Sequence, residues 1–98
     1  MSSIHLDAFV AVSKTLSFTK AAKLLAITQS ALSQRISAFE SALGVTLFIR
    51  NPRGILLTEA AYRIQRYCRI RDSLEEELLS DVGSRKKGDL AGIAKIAA

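Results

Sequence analysis

The sequence predicts a mainly α fold: three helices, a two-stranded hairpin and one long C-terminal helix. Three observations predict it. Apolar residues follow a helical period from Leu6 to Leu16 and recur at spacings of four, three and four from Leu32 to Leu43, as in helices with one buried face. From Leu47 to Thr58 the pattern changes to short β-like runs around Asn51-Pro52-Arg53-Gly54. Between Thr58 and Val82 neither Gly nor Pro interrupts the chain.

Taken in order, Leu6, Phe9, Val10 and Leu16 follow a helical period, and Ser3 stands where an N-cap belongs. Ser17 and Thr19 end that segment, and Thr19 to Leu25 reads as a short second helix capped by Thr19, with Ala21 and Ala22 small enough for close contact. After the break Ala26-Ile27-Thr28, the residues Leu32, Ile36, Phe39 and Leu43 repeat at four, three and four on a third helix. Gly44 stops it. Leu47–Arg50 and Ile55–Thr58 then flank a turn with Asn, Pro and Gly at positions a type I turn favours, which places Arg53 at the tip of a hairpin. The remaining stretch to Val82 is long enough for about six or seven helical turns. Along it Leu57, Ala60, Ile64, Tyr67, Leu74 and Leu78 form a seam with Arg71 as its one break, which predicts pairing with a second copy of the helix. Helix, short helix, break, helix and hairpin together make a winged helix-turn-helix.

Length and charge bound the function. The 98 residues give room for one small domain, not for a large multidomain enzyme. Lys and Arg number 14 against 9 Asp and Glu, a net charge of +5. The excess is uneven: residues 1–71 hold ten basic and three acidic side chains, a balance of +7, and residues 72–98 hold four and six, a balance of −2. A cationic folded region attracts polyanions, and nucleic acid is the usual one; a merely soluble surface is the plain alternative. No apolar run approaches the roughly 20 residues of a membrane span, so no membrane association is expected. The N-terminus does not read as a secretory signal and Cys68 is the single cysteine, so a cytoplasmic protein without an internal disulfide is expected.

The third helix carries the chemistry. Opposite Leu32, Ile36 and Phe39 it presents Ser30, Ser33, Gln34, Ser37 and Ser41, with Gln29 at its start and Arg35 at one flank. A solvated helix face ordinarily mixes Glu, Lys and Arg, which favour helix and pair along it. Uncharged hydroxyls and amides instead suit hydrogen bonding to base edges and phosphates without negative charge to repel them. Other candidates are weaker. His5 has no second metal-binding neighbour and reads as a surface residue. Cys68 reads as a small buried thiol. Glu75, Glu76 and Glu77 fan around a helix, and Arg71 with Glu75 is an ordinary helix pair. Gly83 to Asp89 has the glycine spacing of a phosphate loop but Asp89 where Lys is required. No serine has an identifiable His base, and no cofactor or metal is expected.

Several stretches agree in order and spacing with one family. Phe9-Val10-Ala11-Val12, Ser17 to Ala22, Thr28 to Ile36, Leu43 to Arg50 and Leu57-Thr58-Glu59-Ala60 resemble the N-terminal DNA-binding region of LysR-type transcriptional regulators, nearly ungapped from Leu6 to Glu59. Thr28 to Ile36 and Ser73 to Glu77 resemble more particularly the arginine- and lysine-responsive branch. The resemblance implies base reading by Gln29, Ser30, Ser33 and Gln34, although Gln34 stands where Arg is frequent. It implies phosphate contacts at Thr19, Lys20, Thr28, Arg35 and Arg50, and entry of Arg53 into a minor groove. Many members carry Gly at the place of Ala61. The resemblance further implies a homodimer, a tetramer in a full-length chain, and a C-terminal effector-binding domain that alone would take a small-molecule effector. The chain is therefore expected to be a piece of such a protein.

The organisation that follows is a winged helix-turn-helix over 1–58, a linker and dimerisation helix over 59–82 through Ala60, Ile64, Tyr67, Leu74 and Leu78, and a linker with the start of a further domain over 83–98. The expected function is sequence-specific binding of inverted-repeat promoter DNA. The alternatives are a winged helix that docks on another protein, and a small enzyme, for which no convergent acid–base pair is in view.

Overall fold

The computed structural model describes residues 3–83: helices α1 (Ser3–Thr15), α2 (Phe18–Leu25) and α3 (Gln29–Leu43), strands β1 (Phe48–Asn51) and β2 (Gly54–Leu57), and helix α4 (Glu59–Leu78), which ends in a π-helical turn over Leu79–Gly83. Apart from Gly83, the predicted tail 83–98 lies outside the described residues. The chain divides into two compact units, Met1–Gln65 and Arg66–Ala98.

In the first unit, α1 is buried on more of its circumference than its large residues suggest, because Ala8, Ala11 and Val12 join Leu6 and Phe9 in the core. Leu16, expected to extend that apolar row, is instead 47% exposed at φ 53°. Its amide still bonds to the Val12 carbonyl at 2.8 Å, so the left-handed residue closes the helix and its side chain turns outward. The cap of α2 is Ser17 rather than Thr19: the Ser17 hydroxyl accepts from the Lys20 amide at 3.1 Å. Phe18, which sequence periodicity leaves between elements, is buried as the first residue of α2, and this fixes the start one residue before Thr19.

The turn from α2 to α3 hinges on Ala26, at φ 56° and ψ 42°, with the Ile27 amide bonded back to the Ala22 carbonyl at 3.0 Å. This pattern satisfies helix-end carbonyls but normally uses Gly, since a left-handed conformation costs an L-residue roughly 1–2 kcal/mol. Ala26 is exposed. Ala26→Gly should therefore stabilise the domain by about 1 kcal/mol after the entropy cost of glycine, read as a higher urea midpoint at unchanged slope.

Thr28 caps α3 by accepting from the Ala31 amide at 3.0 Å, and Gly44 ends it at φ 73°. Leu32, Ile36 and Phe39 are buried as expected, but Leu43 is 37% exposed. The α3 row leaves the core one turn before its end. All four phenylalanines meet in the core: Phe9 lies 6.2 Å from Phe39 and 5.4 Å from Phe48, and Phe18 stands edge-on to Phe48 at 6.3 Å. His5, expected on the surface, stacks on Phe39 with ring centroids 5.4 Å apart and is half-buried.

The hairpin pairs Phe48 with Leu57 through to Asn51 with Gly54, so each strand is displaced by one residue from its expected place. Pro52 cannot supply the positive φ that two-residue hairpin turns favour, and Gly54 takes it instead, at φ 135°. The hairpin is fastened at both ends of its base. Glu40 of α3 accepts the Leu47 and Phe48 amides on one carboxylate oxygen, at 2.6 and 3.3 Å. Thr58 donates to the Thr46 carbonyl at 2.7 Å and accepts from the Ala61 amide at 3.2 Å, capping α4 while closing the sheet. Ala61 is fully buried.

Candidate nucleic-acid interface

The face of α3 away from Leu32, Ile36 and Phe39 is open. Gln29, Ser30 and Gln34 are exposed, and Ser33 and Arg35 are half-buried. Ser37 and Ser41 are exposed further along. The single acidic residue of the helix, Glu40, stands beside this face, but its carboxylate is committed to the Leu47 and Phe48 amides. The exposed row therefore offers hydroxyls and amides with little free negative charge. No acidic side chain occupies the first turn of α2 or α3, which leaves the positive ends of both helix dipoles uncompensated.

The cationic and hydroxyl residues assigned to phosphate and minor groove lie on α2, at the start of α3 and on the hairpin. Thr19, Lys20, Thr28, Arg50 and Arg53 are all exposed. Arg53 lies at the hairpin tip, where the Asn51 side-chain oxygen accepts its amide at 2.9 Å; this local turn stiffens the backbone beneath the guanidinium. Arg50 is brought against the third helix. Its Nη2 donates to Ser33 Oγ at 3.1 Å, and its guanidinium carbon sits 3.7 Å from the centroid of the Phe18 ring. Two residues assigned separate contacts from sequence are thus directly bonded. Local spacing carries no sign of this pair, because its members lie 17 residues apart.

On α4, Ala60 and Ile64 are half-buried, while Tyr67, Leu74 and Leu78 are 48%, 59% and 59% exposed. Ile70, absent from the expected seam, is also large, apolar and 52% exposed. Arg71, the break in that seam, reaches Asp72 at 3.4 Å and Glu75 at 4.0 Å. Cys68 is buried. Burial raises its thiol pKa, against a lowering by Arg71 and a further rise from Asp72, so it stays a protonated thiol at neutral pH. Among the described residues no cluster of three His, Cys, Asp or Glu could hold a metal, and no helix is long and apolar enough to cross a membrane.

Known proteins are similar to this chain in sequence and fold. A sequence profile described as "Bacterial regulatory helix-turn-helix protein, lysR family" matches residues 4–62. An HTH-type transcriptional regulator of Methanocaldococcus jannaschii is 43% identical over 76 residues, 76% of this chain and 26% of that protein. The HTH-type transcriptional activator AmpR of Pseudomonas aeruginosa is 51% identical over 53 residues, 54% of this chain and 18% of its own length. The chain thus spans about a quarter or less of these two relatives. Among solved structures, the BenM_DBD/benA site 1 DNA complex superposes with a TM-score of 0.75 at 34% identity, covering 90% of this chain and 99% of that one.

Proposed function

The chain belongs to the lysR family of bacterial regulatory helix-turn-helix proteins, and we propose that residues 1–58 bind double-stranded DNA sequence-specifically as the DNA-binding domain of a transcriptional regulator. One observation carries the reading: the exposed, uncharged hydrogen-bonding face of α3, with Arg50 bonded to Ser33 on it, in a domain similar along nearly its whole length to one solved on DNA. In this reading Gln29, Ser30, Ser33 and Gln34 face base edges in the major groove. Thr19, Lys20, Thr28, Arg35 and Arg50 contact phosphates, and Arg53 enters a narrowed minor groove. Residues 59–82 join two copies through Ala60, Ile64, Tyr67, Leu74 and Leu78, so that paired α3 helices address an inverted repeat. A tetramer and a small-molecule effector belong to a full-length protein with a further domain. The arginine- and lysine-responsive branch is supported by Thr28–Ile36 and Ser73–Glu77. The M. jannaschii and P. aeruginosa relatives are transcriptional regulators rather than enzymes, and a cytoplasmic location fits that role.

Selection of bound DNA from a random pool tests the reading. The expected product is an inverted repeat with half-sites about one helical turn apart, bound with an affinity that falls steeply with salt. A pool that returns no enriched sequence, with binding to protein partners that ignores salt, favours the docking module instead. On the selected site Gln29→Ala should cost about 1–3 kcal/mol, with a much smaller loss on unrelated DNA. Equal losses on both would take base reading away from Gln29.

A further inference from the structure

The Arg50–Ser33–Phe18 cluster does more than place a positive charge near DNA. Arg50 extends from β1, where it pairs with Ile55. Phe18, 8% exposed, opens α2 and is held edge-on by Phe48. The guanidinium lies over the Phe18 ring, a cation–π arrangement that limits its rotation, and points Nη2 at Ser33 Oγ. One side chain therefore ties the hairpin, the start of α2 and the second turn of α3 at the surface proposed to meet DNA.

We propose that Arg50 is a positioning residue that fixes the hydrogen-bonding polarity of Ser33, so that Ser33 acts as a donor toward DNA. A guanidinium has N–H donors and no acceptor, so in this bond the Ser33 oxygen must accept. The bond occupies one lone pair, and the attached cation draws electron density from the oxygen. What remains strong is the Ser33 O–H, now a polarised donor. Its partner in the major groove must be an acceptor: purine N7, guanine O6 or thymine O4. The amino groups of cytosine and adenine are donors and are disfavoured there. A free serine accepts or donates and discriminates little. The specificity of this position thus resides in the Arg50–Ser33 pair rather than in Ser33 alone. This inference rests on the proposed DNA-binding function and adds to it the chemical class of base edge that Ser33 selects.

Random-pool selection with wild type, Ser33→Ala, Arg50→Lys and Phe18→Leu tests it, with melting temperatures to register loss of fold. Ser33→Ala identifies the base pair it governs, and on the selected site 7-deazapurine, or a base lacking the O6 or O4 acceptor, at that pair should weaken wild type but not Ser33→Ala. Arg50→Lys retains the charge but loses the planar fork and stack; it should relax preference at that same position by roughly three- to tenfold, the worth of one directed hydrogen bond, with a smaller change at the Gln29 position. Phe18→Leu should relax it in the same direction. In the free wild-type protein, ring-current shifts of the Arg50 side-chain protons should vanish in Phe18→Leu. Retained preference at the Ser33 position in Arg50→Lys, or wild-type binding indifferent to removal of each acceptor at that pair, overturns the proposal while leaving DNA binding intact. A uniform loss on every sequence reduces Arg50 to a phosphate contact and also overturns it. Failure of wild type to enrich any sequence removes both readings.

Discussion

Phe39→Ala should lower the stability of the domain by about 3–5 kcal/mol, the cost of truncating a buried phenylalanine. Phe39 is 1% exposed and lies between His5 and Phe9, with ring centroids at 5.4 and 6.2 Å. Both neighbours come from α1, so the cavity would open along the contact that seats α3 on the rest of the domain. Small domains bury a modest fraction of their surface, and typical stabilities are only about 5–15 kcal/mol. The loss should thus appear as a fall in melting temperature of at least about 12 °C, followed by circular dichroism, and as loss of DNA binding near that temperature. Leu43→Ala supplies the contrast. Sequence periodicity puts Leu43 in the same row, yet it is 37% exposed, so its truncation should cost less than about 1 kcal/mol. Equal losses for the two would restore the periodic row and contradict the outward placement of Leu43.

That contrast separates features written in the local sequence from features set by packing. The ends of α3 were legible: the break closes at Thr28 and Gly44 tolerates a positive φ, so the helix runs from Gln29 to Leu43 where expected, and the structure adds the Thr28 cap. The turn at Asn51–Gly54 was legible for the same reason. The left-handed residues Leu16 and Ala26 were not, because neither carries a side chain that favours that conformation. Ala8, Ala11 and Ala61 are buried but add nothing to a pattern built from large apolar residues, whereas Ala21 and Ala22, read as close-contact residues, are buried as expected. Local sequence pointed to Thr19 as the cap of α2; burial of Phe18 moves the cap to Ser17. The interface divides along the same line. Its uncharged face followed from composition on one helix, a local property. The bond from Arg50 to Ser33 and the grip of Glu40 on Leu47 and Phe48 arise only when α3 and the hairpin fold together.

The second large effect concerns α4. Leu74→Asp should convert the proposed dimer to a monomer and weaken binding to the full inverted repeat by roughly 10²- to 10⁴-fold, the advantage that linking two binding modules confers. Tyr67, Ile70, Leu74 and Leu78 are each about half exposed or more, at spacings of three, four and four. An isolated helix does not favour such a row in water, because large apolar side chains stay hydrated at each position. Ile70 extends the row, and the charge of Arg71 is engaged by Asp72 and Glu75; the polar break in the expected seam therefore need not prevent apolar contact with a second helix. Around a two-fold axis one substitution places two carboxylates in that contact, each losing hydration without a cationic partner. Sedimentation analysis reads the oligomeric state, and titration of a half-site beside the full repeat separates the lost linkage from damaged recognition. Half-site affinity should change far less than full-site affinity. A Leu74→Asp variant that sediments as a monomer and still holds the full repeat as tightly as wild type would show that α4 does not couple the two recognition helices.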